Sequence, residues 1–255
     1  LNFSVEGIIA HVAMSGDGEY FAVATWYPPA DAYNYTIYMF HRQSTTPLWK
    51  HELEKVWNHS SVQSLAISDD GSYVAVGSTG RLLLFSQGSA TPLWTALTSS
   101  HSVNSIAISG DGSLIAARNN DGKMYLFQKE SNESVWIHTL GESNNVGSVS
   151  VSREGDHIVR GTHLGYVQLF SSASNLPLWS YYAGSEEIWP TAISAHGDYI
   201  AAGSTSGRIY YFLRGSSSPA RVMETEYMVP NYFTLAADGQ SLLTATNLFQ
   251  RWSDS

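Results

Sequence analysis

The sequence predicts an all-β fold, a six-bladed β-propeller with four antiparallel strands per blade, on three observations. A phrase made of an apolar stretch, a Gly-centred turn and a second apolar stretch recurs six times along the 255 residues. Its turn glycines, Gly18, Gly71, Gly112, Gly155, Gly197 and Gly239, lie 53, 41, 43, 42 and 42 residues apart. Large aromatics keep a second register, with nine residues separating Phe40 from Trp49, Phe85 from Trp94, Phe127 from Trp136 and Phe170 from Trp179. A fixed period of this size marks an array in which each unit buries its apolar face against the next.

The repeats fall at about residues 7–54, 55–98, 99–141, 142–184, 185–226, and 227–255 completed by 1–6, all within one domain. The second shows the four strands. Strand a is predicted at about 62–68, followed by the turn Asp69-Asp70-Gly71, where Asp and Gly tolerate the dihedrals of a tight hairpin. Strand b is expected at about 73–78, a Gly80 turn follows, and strand c runs over 81–86. Strand d opens at Pro92-Leu93-Trp94. No segment carries helical caps or a 3.6-residue apolar period. The fifth repeat has Arg221 where the others have Trp, nine residues after Phe212. These aromatics are expected to fill the wedge between neighbouring sheets, each burying roughly 150–250 Å².

The turns Ser68-Asp69-Asp70-Gly71 and Ser109-Gly110-Asp111-Gly112, with His59 and His101 ahead of strand a, resemble WD40-type repeats. The Pro-Leu-Trp segment is similar to quinoprotein-like propeller repeats. Phe stands where the WD40 pattern has Trp-Asp in strand c, apart from Trp252-Ser253-Asp254, and only Asp121 keeps an Asp in the b–c turn. The resemblance implies a propeller that holds protein partners.

The sixth repeat supplies strands a, b and c and reaches Ser255 without a fourth. Leu1-Asn2-Phe3-Ser4-Val5 alternates apolar and polar residues as a strand does. The N-terminal strand is therefore expected to complete the last blade, because an unclosed ring leaves bare sheet edges that invite aggregation.

Composition narrows the function. Thirteen Lys and Arg against 22 Asp and Glu give a net charge of −9, which repels phosphate backbones and argues against nucleic acid. The absence of cysteine removes disulfides, thiolate metal sites and thiol nucleophiles. No apolar run approaches the roughly 20 residues of a spanning helix, so no membrane insertion is expected within this chain. Few lysines and the sequons at Asn2, Asn34, Asn58 and Asn132 lean weakly toward an extracytoplasmic or cell-surface setting. No nucleophile elbow, phosphate loop or His-Glu-x-x-His motif occurs. The sequence is thus read as a non-enzyme, with no catalytic residues, metal or cofactor expected.

Candidate binding residues come from the b–c and d–a connections, which a propeller gathers on its top face. Residues 26–35 lengthen the first b–c connection by about ten residues and carry Trp26, Tyr27, Asp31, Tyr33, Tyr35 and two prolines. They form either a semi-rigid aromatic lip or a loop folded back onto its blade; proline lowers the entropy lost on binding. The d–a segments add Glu54, Trp57, His101, Glu186, Glu187 and Glu224. Aligned at the start of strand a stand Ala10, Gln63, Asn104, Gly147, Trp189 and Asn231, whose amides and indole suit a peptide backbone or a sugar. Arg118 and Arg160 occupy strand-b positions that are small and apolar elsewhere. Each is expected to be tied internally, or else to point into the channel toward an anion.

The reading is a non-enzymatic protein-interaction or scaffolding propeller holding a protein or peptide partner on its top face. The alternatives are an extracellular carbohydrate or small-molecule sensor, and a structural unit of a surface assembly.

Overall fold

The computed structural model describes residues 3–27, 34–53, 61–140, 147–225, 232–245 and 249–253. Two compact units divide the chain, Leu1–Val135 and Trp136–Ser255. Every regular element among the described residues is a strand.

The first unit opens with β1 (Ile8–Met14), β2 (Tyr20–Tyr27), β3 (Asn34–His41) and β4 (Trp49–Glu52), an antiparallel meander in sequence order. Next come β5 (Val62–Ile67), β6 (Tyr73–Ser86), β7 (Trp94–Ile108), β8 (Leu114–Asn119), β9 (Lys123–Gln128) and β10 (Ser134–Thr139), one sheet of six strands. The division between units falls within β10.

Here the structure corrects the strand reading. Strands b and c of the second repeat run on as the single β6, and d of the second continues into a of the third as β7. The cause is pairing across the connections: Thr79 opposes Ser102 and Arg81 opposes Leu97, so the turn at Gly80 and the d–a connection hydrogen-bond to each other instead of looping free.

The second unit holds β11 (Val149–Val151), β12 (His157–Gly161), β13 (Tyr166–Ser171) and β14 (Pro177–Tyr182) in one meander. A second contains β15 (Ile188–Ile193), β16 (Tyr199–Ser204), β17 (Arg208–Leu213) and β18 (Arg221–Glu224). β19 (Tyr232–Leu235), β20 (Ser241–Ala245) and β21 (Phe249–Ser253) make a sheet of three.

Each sheet is buried through its middle strands. Phe40, Phe85, Phe127, Phe170 and Phe212 are all fully or almost fully enclosed. The Trp nine residues after one Phe packs on the Phe of the following repeat. Ring centroids lie 5.3 Å apart for Trp49 and Phe85, 5.8 Å for Trp94 and Phe127, 6.0 Å for Trp136 and Phe170, and 5.2 Å for Trp179 and Phe212. Each indole Nε1 then donates to a backbone carbonyl two residues beyond that Phe, at Gln87, Lys129, Ser172 and Arg214, over 2.7–2.8 Å.

Phe3 takes the same post against the first sheet, 5.6 Å from Phe40 and 4.7 Å from Phe21. Residues 3–6 nevertheless form no strand, which departs from the strand expected over 1–6. Phe3 is anchored edge-on to two rings, a contact that needs no ladder.

The a–b turns explain the recurring Ser-x-Asp-Gly. The hydroxyls of Ser68 and Ser109 donate to Asp70 and Asp111 at 2.8 Å and accept the amides of Tyr73 and Leu114 at 3.0 Å. Gly71 and Gly112 stand at φ +71°, and a Cβ on either would meet the ring of Tyr20 or Tyr73, the first residue of strand b one repeat earlier, at 2.4 Å. Backbone bonds join turn to turn: Asp17 to Asp69 and Asp69 to Gly110 in the first unit, Ala195 to Ala237 in the second.

Candidate functional site

With the a–b turns consumed by bonds to themselves and to each other, the b–c and d–a connections carry the variable chemistry. Trp26 and Tyr27 close β2, opposite Tyr35 and Asn34 in register. Tyr27 is 60% exposed. Tyr35, itself on β3, packs against the core cluster around Ile37, Met39 and Trp49. Tyr33 and Asp31 lie outside the described residues, as do Glu54, Trp57 and Asn231.

The two arginines are internal. Arg118 and Arg160 are each 1% exposed. Arg118 Nη1 donates to Asn104 Oδ1 at 3.2 Å, which brings together two residues singled out in the sequence. Burial pushes the Arg118 guanidinium down to about 10, and Asp121 nearby opposes the shift. A cation this deep persists only with polar company. Arg160 sits in the second unit, its register neighbours Val149 and Gln168. Gln63 on β5 donates to the Ser61 hydroxyl. Trp189 on β15 remains 40% exposed between the enclosed Ile188 and Pro190.

A polar cluster in the second unit was only half legible. Glu186 and Glu224, both on the d–a side, are bridged by Arg208: Nη1 lies 2.9 Å from Glu186 Oε1 and Nε 3.4 Å from Glu224 Oε1. Tyr210 OH donates to Glu186 Oε2 at 3.3 Å. Burial alone would raise the Glu186 carboxyl; bonds from Ser206 and Ser204, with Arg208 beside it, bring it below its ordinary value. Arg208, at the start of β17, offsets part of the negative charge that Glu186 and Glu224 bring to the d–a segments. Its sequence distance from both partners hid the cluster.

Among the described residues no group of three His, Asp or Glu is placed to hold a metal ion. No helix is long and apolar enough to cross a membrane.

Residues 51–86 and 91–128 match the family model "WD domain, G-beta repeat". No curated protein matches the chain. A solved structure, the crystal structure of a mitotic checkpoint complex, contains a chain that superposes with a TM-score of 0.71 at 15% identity, covering 97% of this chain and 87% of that one. At this identity the likeness speaks for the fold alone. The chain is an all-β protein of β-propeller arrangement. It carries WD40 repeats at two positions, both of which contain a Ser-x-Asp-Gly turn.

Proposed function

We propose that this protein is a non-enzymatic interaction or scaffolding propeller of six blades, and that it holds a protein partner on the face built from its b–c and d–a connections. The supporting observation is the contrast between its two sets of loops. The a–b turns spend their Ser, Asp and backbone groups on internal bonds, whereas Tyr27 at the end of β2 and Trp189 near the start of β15, the strand ends that border the other set of connections, stay exposed. Exposed aromatics with few rotatable bonds make good anchors for a partner. Repeats of the WD40 type are generally scaffolds, an argument by analogy of fold.

The six-blade count and the closure of the last blade by residues 1–6 belong to the same reading. Phe3 packs edge-on against Phe40, the Phe that in the other repeats meets the Trp of the preceding one.

The test begins with capture of partners by the purified chain, followed by calorimetric titration with the recombinant partner. Tyr27→Ala and Trp189→Ala should each weaken binding at least tenfold without changing the melting temperature. Unchanged affinity in both variants would refute the assignment of the face.

A further inference from the structure

Opposite Gly80 the pairing of β6 and β7 skips. Thr79 faces Ser102 and the next pair is Arg81 with Leu97, so residues 98–101 bow away from a single glycine. The bow borders a cavity of about 290 Å³, open to solvent on one side, lined by Thr79, Gly80, Arg81, Leu97, Thr98, Ser99 and Ser100. Gly80 has φ +73°, and a Cβ there would come within 2.7 Å of the Ser99 carbonyl oxygen, so the floor tolerates no larger residue.

The wall is held from behind by buried side chains of the next strand pair. Tyr125, 4% exposed, donates its hydroxyl to the Thr98 carbonyl at 2.7 Å; Asn119, wholly enclosed, donates Nδ2 to the Ser99 hydroxyl at 2.9 Å. A second bond, from the His101 amide to the same hydroxyl at 3.1 Å, fixes the bow from within. A cavity whose wall is braced this way loses little freedom on binding.

Its chemistry is asymmetric. Among the lining residues Arg81 alone carries charge, and the hydroxyl-bearing residues are Thr79, Thr98, Ser99 and Ser100. Leu97 is 84% exposed, the highest value among the large apolar side chains described. A guanidinium matches a carboxylate with two parallel bonds. A bare phosphate would find a single cation, an apolar wall and a protein of net charge −9. At about 30 Å³ per water, the volume corresponds to a ligand of roughly ten non-hydrogen atoms or fewer.

We propose that this cavity binds a small aliphatic carboxylate, its anionic end on Arg81 and its hydrocarbon end on Leu97. The site lies among the same b–c and d–a connections as the proposed partner face, but it does not depend on that reading. A ligand of this size binds at about the millimolar level.

The experiment is a titration of the full chain with butyrate, followed by amide NMR shifts, with butyramide and inorganic phosphate as comparators. Butyrate should shift the amides of residues 79–81 and 97–100 to saturation, and both comparators should bind at least tenfold more weakly. Arg81→Gln should abolish the effect and Arg81→Lys should restore part of it, with melting temperatures giving the folding control. Leu97→Asp changes an exposed side chain, so folding is preserved while a like charge enters the mouth; it should weaken butyrate at least fivefold. Equal binding of butyrate and butyramide, equal binding of phosphate, saturation at other residues, or unchanged affinity in Leu97→Asp would each overturn the assignment.

Discussion

The indole of Trp49 donates to the carbonyl of Gln87 at 2.7 Å while its ring stacks on Phe85. One side chain thus supplies both the apolar wedge and the polar link between successive sheets. Replacing Trp49 with Phe keeps much of the wedge and strands the carbonyl, at a cost of about 1 kcal/mol. Trp49→Ala also opens a cavity and should cost about 3–5 kcal/mol. Urea unfolding of both variants measures the two effects separately; an undiminished stability in Trp49→Phe would mean that the hydrogen bond contributes nothing, and equal losses in the two variants that the wedge contributes nothing.

Gly112 answers to two constraints, its positive φ and the ring of Tyr73 at 2.4 Å from the position a Cβ would take. Gly112→Ala should destabilise by about 2–3 kcal/mol. In the Tyr73→Ala background the steric part vanishes, so the same substitution should cost about 1 kcal/mol less than in the parent. A double-mutant cycle reads this coupling directly.

Ser109 is fully buried and bonds both Asp111 and the amide of Leu114. Ser109→Ala leaves that amide without its side-chain acceptor and should lower stability by about 1–2 kcal/mol. Exchange of the Leu114 amide, followed by NMR, should quicken in step.

His138 gives the protein a dependence on pH. Its Nδ1 lies 2.8 Å from the Asn175 carbonyl, so Nδ1 carries a proton and donates it to that oxygen. Burial lowers its pKa; the bond to Asn175 works against the shift and Arg160 adds to it. The folded value therefore lies below the unfolded one, near 6.5. Between the two, the unfolded chain binds more protons, so the stability from this group is complete above about 6.5 and is lost as pH falls through the folded value. His11 and His157 are lowered in the same direction, with burial the largest cause for each. Denaturant midpoints should fall between pH 7.5 and pH 5.5, and His138→Gln should flatten that slope.

The sequence disclosed the repeat and the nine-residue Phe–Trp register, because both lie within one unit. It did not disclose that Trp49 stacks on Phe85 of the next sheet, since a period states what recurs and not what touches. Ser-x-Asp-Gly was legible as a turn, yet its second use, accepting the ring of Tyr20 or Tyr73, depends on a neighbour about fifty or forty residues away. The join of strands in β6 and β7 escaped because Gly80 reads as a turn in either arrangement, and only the pairing of Thr79 with Ser102 decides between them. Among the candidate residues, Asn104 and Arg118 meet; nothing in their spacing announced it.

The Trp-to-carbonyl link has the same donor and acceptor positions in four successive repeats. A duplicated segment of this gene would therefore encode both halves of its own joint: a wedge for the copy after it and a socket for the copy before. Growth by whole copies would require no new interface to evolve, and divergence could then proceed in the connections without disturbing the seams.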